Sequence, residues 1–185
     1  MQLNCFVDAD FAGLWSSEDP QDPVCVKSRA GFVLTFGGCP LIWCSKLQTE
    51  VALSTTEAEY IALSQSMREL LPMRRLIKEV GTELNLAFVQ PALIHTTVFE
   101  DNNGAIILAT GTKITPRTKH LAVKWHFFRD KIGTEQGILL EKICSLLQLA
   151  DILTKGLALK QFQFLRKFLM EGFPLPEDLT AVDAI

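Results

Sequence analysis

The chain has 185 residues, of which 48% are hydrophobic and 21% charged, and a formal net charge of −3; this is the composition of a globular domain with its own core plus a short appendage. No uninterrupted apolar run approaches the ~20 residues needed to span a bilayer, and the start, MQLNCFVDADF, lacks the basic residues and long apolar stretch of a signal peptide. The five cysteines (5, 25, 39, 44 and 144) include no C-x-x-C pair, which argues against a zinc site or disulfide framework and for a reducing compartment.

In chain order, LNCFVDA (3–9) predicts a strand, followed by a polar loop that holds Pro20 and Pro23. AGFVLTFGGCPLIWCSK (30–46) predicts a hairpin, two β-rich runs around Gly37-Gly38. A long amphipathic helix is expected over about 55–80, with Pro72 interrupting its polar side. LIHTTVFED (93–101) reads as a strand ending in acid, and NNGAIILAT (102–110) as a short helix. A further helix is expected over roughly 119–132, a last strand at ILLEKIC (138–144), and helical stretches at about 146–155 and 158–171. The segment 172–185 has two prolines and no periodicity, which predicts a frayed tail. The order β-β-β-α-β-α-α-β-α-α predicts an α/β fold, a mixed sheet covered by helices.

Charge is distributed unevenly along this order. Residues 1–60 carry eight acids against three bases, whereas KITPRTKHLAVKWHFFRDK (113–131) carries six bases against one acid. In an acidic chain that block is the one candidate phosphate-facing surface, set against the alternative of a solvated helix face.

The acids themselves carry the chemical argument. Ser54-Thr-Thr-Glu57 has the spacing of a capping box, in which Glu57 reaches back to the cap amide. At ~100° per residue Glu57 falls on the charged face of the long helix, and Glu59 falls on the apolar stripe with Leu63, Met67 and Leu70. A carboxylate there is desolvated unless a cation offsets it, whether a metal or a buried ion-pair partner distant in sequence. Asp8 sits in a strand interior, where aspartate is depleted. Asp101 closes a strand, where it would serve as a helix N-cap. Asp151 stands among apolar neighbours near a helix start. Singly each has a structural explanation. Together the four acids lie at the ends or sheet-facing sides of elements of one sheet, as a carboxylate-lined Mg²⁺ site requires.

The strings VDADFAG, SRAGFVLTFGGCPLIWCSKLQTEVALSTTEAEYIALS, EDNNGAI, TPRTKHLAVKWHFFRD and LADILTKGL run in order through most of the chain. In them the sequence resembles the ribonuclease H domain of Ty1/copia-type retrotransposon Pol polyproteins, over roughly residues 4–165. The resemblance implies a ribonuclease H-like fold with a five-stranded mixed sheet flanked by helices, a domain over 1–171 and a tail over 172–185. By motif position it implies Asp8, Glu59, Asp101 and Asp151 as catalytic, metal-holding acids. It implies two Mg²⁺ ions, with Mn²⁺ as a substitute, cutting the RNA strand of an RNA–DNA hybrid. Lys119, Lys124 and Arg129 are the expected phosphate contacts, and His120 and His126 the candidates for proton transfer. A reverse transcriptase domain is expected on the same polypeptide, making this chain a fragment, and the setting would be cytoplasmic, within virus-like particles. One departure stands out: before Leu149-Ala-Asp the family carries a polar, acidic turn ending in Gln, whereas this chain reads Cys-Ser-Leu-Leu-Gln.

Two rivals follow from the same residues. An integrase or transposase of related fold places its essential glutamate late in the chain, whereas Glu59 comes after the third strand. A degenerate domain that binds nucleic acid without cutting is opposed by the complete set of four acids, and Leu146-Leu147 speaks for it.

Overall fold

The computed structural model describes residues 2–15, 21–86, 94–111, 125–135 and 137–171. Strands β1 (Gln2–Asp10), β2 (Arg29–Phe36), β3 (Cys39–Leu47), β4 (His95–Glu100) and β5 (Ile138–Lys142) form one five-stranded sheet in the order β3-β2-β1-β4-β5. The β1–β2 and β2–β3 pairs are antiparallel, and β1–β4 and β4–β5 are parallel. This is the mixed sheet expected of a ribonuclease H-like fold. The β2–β3 hairpin closes with Phe36 opposite Cys39, so that Gly37 and Gly38 alone make the turn, at φ 58° and 85°. Two successive positive φ values suit the right-handed twist of a two-residue hairpin, and glycine adopts them without a Cβ penalty.

Helices cover both faces, and β1 shows it. Every residue from Leu3 to Ala9 is buried, as in a central strand packed on two sides. Leu3, Cys5 and Val7 join a core with Phe32, Leu34, Leu63, Met67 and Leu70 on the side of α1 (Thr55–Glu83). Phe6 joins Phe99, Ile143, Leu147, Leu149 and Leu165 on the other face, beneath α3 (Asp151–Thr154) and α4 (Leu159–Glu171). The remaining helix, α2 (Asn103–Thr110), follows β4. No described helix is long and apolar enough to cross a membrane.

Several expected boundaries move. Pro72 sits on the exposed side of α1 but does not end it, and the helix runs on to Glu83. Of the helix expected over 119–132, the described part holds only a 3-10 turn at Arg129–Lys131, and residues 119–124 lie outside the described residues. β5 ends at Lys142. The helix expected over 146–155 divides into a 3-10 turn, Ser145–Leu147, and the one-turn α3, because the buried Gln148 hydrogen-bonds the strand ends and leaves helical geometry between them. The tail expected over 172–185 lies outside the described residues.

Candidate metal centre

The parallel strands β1 and β4 are neighbours, and their chains continue to opposite edges of the sheet. Carboxyl ends of strands at such a switch point leave a crevice suited to ligands. Asp8, in β1, is fully buried. Asp101 follows directly on β4, and Asn102 caps α2 in its place, its Oδ1 accepting from the Ala105 amide at 3.1 Å. The expected capping role of Asp101 therefore falls to its neighbour, and Asp101 instead accepts a 2.7 Å hydrogen bond from Ser145 Oγ. Glu59 enters from α1 and is 6% exposed. One carboxylate oxygen from each of Asp8, Glu59 and Asp101 lies within 4.8 Å of the others.

The two glutamates at the head of α1 divide as their helical faces predict. Ser54 Oγ accepts from the Glu57 amide at 3.2 Å, and Glu57 Oε2 accepts from the Leu53 amide at 2.9 Å, one residue before the cap. Glu57 is thus engaged at the helix entry. Glu59 Oε2 is buried with no hydrogen-bond partner among the described residues. Burial, reinforced by Glu100, Asp8 and Asp101, pushes the Glu59 carboxyl up to about 11 against the pull of Lys155.

Asp151 reaches the cluster by another route. It opens α3 with 6% exposure, and its Oδ1 accepts from Lys155 Nζ at 2.9 Å. The same ammonium donates to Asp8 Oδ1 at 2.8 Å, while Thr154 Oγ1 donates to Asp8 Oδ2. Burial and Asp8 raise the Asp151 carboxyl to about 7, opposed by Lys155. For Lys155 burial alone works downward, but Asp8 and Asp151 together hold its pKa above the usual lysine range.

Of the five candidate site residues in the basic block, His126 and Arg129 are described; Lys119, Lys124 and His120 lie outside the described residues. His126 Nδ1 and Tyr60 Oη are 2.7 Å apart, and burial with the Arg129 charge lowers the imidazole pKa. Arg129 donates to the Gly111 carbonyl at the end of α2. Trp125 Nε1 donates to Glu50 at 2.8 Å, and the Arg68 guanidinium stands 5.3 Å from the Trp125 ring centroid. His126 and Arg129 are therefore tied to the body of the fold, through α1 and α2 respectively, whereas Lys131 pairs with its exposed neighbour Asp130.

Over 165 residues the chain is 33% identical to the retrovirus-related Pol polyprotein from transposon TNT 1-94 of Nicotiana tabacum. It is 35% identical over 169 residues to that from transposon RE2, and 34% over 164 residues to that from transposon RE1, both of Arabidopsis thaliana. These alignments take in 89%, 90% and 88% of the chain, respectively. It is similar to a segment of the Pol polyproteins of Ty1/copia-type retrotransposons. The chain spans about a tenth of the length of these curated relatives (11%, 10% and 10%). No family model matches it.

At the turn Cys144–Gln148 the glutamine is held by both central strands. Leu147 is buried in the second core, and the Leu146 carbonyl accepts from Gln161 Nε2 of α4 at 2.7 Å. Gln148 is fully buried, and its Nε2 donates to the Val7 carbonyl at 2.8 Å and, more loosely, to that of Phe99 at 3.4 Å. One side chain thus ties the turn before Asp151 to both β1 and β4. Leu147 fills core, Leu146 is half-buried, and Gln148 sets where α3 begins.

Three contributors lie inside the strings EDNNGAI, LADILTKGL and SRAGF, but the sequence assigned them no role. Glu100 is fully buried at the end of β4; its Oε1 accepts from the Asn102 amide at 3.0 Å and its Oε2 has no hydrogen-bond partner among the described residues. Burial above all, with Asp101 and Asp8, pushes its carboxyl well above the usual range. Period-2 alternation puts Glu100 on the same strand face as Val98, which packs in the α1-side core, and this was the available signal. Lys155, four residues after Asp151, is the second. Gly31 is the third: it pairs with Asp8 in the β1–β2 ladder, and a Cβ there would stand 2.6 Å from Thr154 Cγ2 and 3.1 Å from Leu153 Cβ. The bare backbone lets α3 approach close enough for Thr154 to reach Asp8. Gly31→Ala should push α3 outward and cost about 1–3 kcal/mol, as overpacking does, read as a lower denaturation midpoint; an unchanged midpoint shows that α3 has room to move.

Proposed function

We propose that this Pol segment is a ribonuclease H that hydrolyses the RNA strand of RNA–DNA hybrids, using two Mg²⁺ ions, or Mn²⁺ in their place, held by Asp8, Glu59, Asp101 and Asp151. The observation that carries this reading is Glu59, a carboxylate with a buried, unpartnered oxygen whose cluster mates are Asp8 and Asp101. Desolvated carboxylates at this spacing must hold protons or face a cation, and an all-oxygen donor set suits hard divalent ions. When bound, such ions neutralise the scissile phosphate, lower the pKa of the attacking water and stabilise the leaving oxygen.

The chain's own part is to position and to exclude. Asp8, between Glu59 and Asp101 on one side and Asp151 on the other, would help to hold ions on both sides. Thr154 and Gln148 hold Asp8 and the start of α3 in register, so the acids do not have to be gathered when substrate arrives. Selection of the hybrid would rest on groove shape and 2′-hydroxyl contacts, with Lys119, Lys124 and Arg129 toward the phosphates. His126, bonded to Tyr60, and His120 are the candidates for proton transfer. In the retrotransposon the segment would act beside a reverse transcriptase domain of the same polyprotein, in the cytoplasm within virus-like particles.

A cleavage assay on RNA–DNA hybrid, single-stranded RNA and duplex DNA, with and without Mg²⁺, tests this. The expected result is metal-dependent cutting of the hybrid's RNA strand alone. Preferential cutting of duplex DNA overturns the assignment, and tight hybrid binding without cleavage in either metal supports the non-catalytic alternative.

A further inference from the structure

The two sides of Asp8 are not alike. Toward Glu59 and Asp101 the cluster presents an unpartnered buried oxygen, Glu59 Oε2. Toward Asp151 the space between the carboxylates already holds a charge: Lys155 Nζ lies 2.8 Å from Asp8 Oδ1 and 2.9 Å from Asp151 Oδ1. Both carboxylates are buried, at 0% and 9% side-chain exposure, whereas the Lys155 side chain keeps 35%. An ammonium on a flexible four-carbon stem with an open side can leave for solvent without moving the backbone.

We infer that Lys155 is a resident counter-cation on the Asp8–Asp151 side, so that divalent ions fill the centre unequally: the Asp8–Glu59–Asp101 position first, and the Asp8–Asp151 position only as the lysine withdraws. The inference rests on the metal-dependent reading above and adds an order of occupancy to it. A lysine and a divalent ion cannot share two carboxylate oxygens, because like charges at that spacing repel and each oxygen has few lone pairs to offer. The first ion meets the unpartnered Glu59 oxygen and has hydroxyl donors to turn aside at Asp8 and Asp101; the second must displace an ammonium bonded to both of its carboxylates. Because Lys155 follows α3 directly, the same withdrawal frees Asp151 to turn toward an incoming ion.

The test counts bound ions rather than turnovers. Mn²⁺ is titrated into the native chain, Lys155→Met and Lys155→Arg, with free Mn²⁺ followed by electron paramagnetic resonance and the fold by circular dichroism. In the native chain one ion should bind, with a second weaker by about tenfold or more. Lys155→Met removes the competing charge and should narrow that gap to a few-fold, with the broadened signal of two neighbouring Mn²⁺ ions appearing at lower metal. Lys155→Arg, always charged, should keep the second ion weak. Two equivalent ions in the native chain, or a second ion unmoved by Lys155→Met, overturn the inference and leave the metal centre standing. Absence of Mn²⁺ binding to the native chain overturns the metal centre itself. If Lys155→Met is unfolded without metal, recovery of the fold in Mn²⁺ with two ions bound supports the inference, and failure to fold at saturating Mn²⁺ overturns it.

Discussion

Glu59→Gln should abolish hybrid cleavage, lowering it by about 10²–10³-fold or more, while the metal-free fold keeps or gains stability. The amide preserves shape and removes an ionisable group, so the metal-free fold no longer has to protonate a buried carboxyl that burial and its cluster mates raise to about 11. Glu57 supplies the control on the same helix turn. Its Oε2 accepts from the Leu53 amide, so Glu57→Gln can keep that bond and should change neither melting nor cleavage by much. Glu57→Ala should cost on the order of 1 kcal/mol or less, as cap losses do, and leave cleavage intact. The competing account treats Glu59 as a structural ion-pair partner. It predicts instead that Glu59→Gln destabilises the fold by stranding a buried cation. Melts and cleavage rates on the three variants separate the two accounts, and loss of cleavage in Glu57→Gln with retention in Glu59→Gln would show the wrong glutamate had been chosen.

Raising the pH should destabilise the metal-free protein, and Mg²⁺ should cancel much of the loss. Glu59 and Asp151 have folded pKa values of about 11 and about 7, above their ordinary values of 4.5 and 3.8. Between each ordinary value and its raised one the folded chain binds the extra proton. The stability these groups contribute is therefore full below about pH 4 and drains as pH climbs: the Asp151 share is gone past about 7, and the Glu59 share continues toward 11. The slope is at most about 1.4 kcal/mol per pH unit for each proton retained. His126 works oppositely, since its lowered pKa favours the fold as pH rises through 6.5. Above pH 7 it is close to neutral in both states, and buried Cys5, raised from 9.0 to about 12, adds to the loss as pH nears 9, so the slope between pH 7 and 8 reports chiefly the carboxylates. With several millimolar Mg²⁺ the ions take the place of the protons, and stabilisation by metal should be larger at pH 9 than at pH 7. A metal-induced shift that is zero, or that shrinks with pH, counts against carboxylate ligation.

Local periodicity carried much of this molecule. The hairpin around Gly37-Gly38, the long α1 and the strand that ends just before Asp101 were legible because alternation and helical stripes are short-range patterns. The same stripe separated Glu59 from Glu57, since two residues on a helix differ by ~200°. Where reading failed, the deciding atoms were distant in sequence. Asp8 and Lys155 meet across a sequence separation of 147 residues, and Gln148 reaches Val7 across 141. Asp101 and Asn102 are both good N-caps on paper; only the path of the chain out of β4 decides which side chain bends back to Ala105 and which is left to face Ser145 and the cluster. Likewise a helical run over 146–155 satisfies propensity, yet Gln148 breaks it, because the strand-end carbonyls of the two central strands need a buried donor. Pattern says which side of an element a residue occupies. What stands opposite it across the sheet is set by how the elements pack, and for this centre that packing places Lys155 and Glu100 beside the acids.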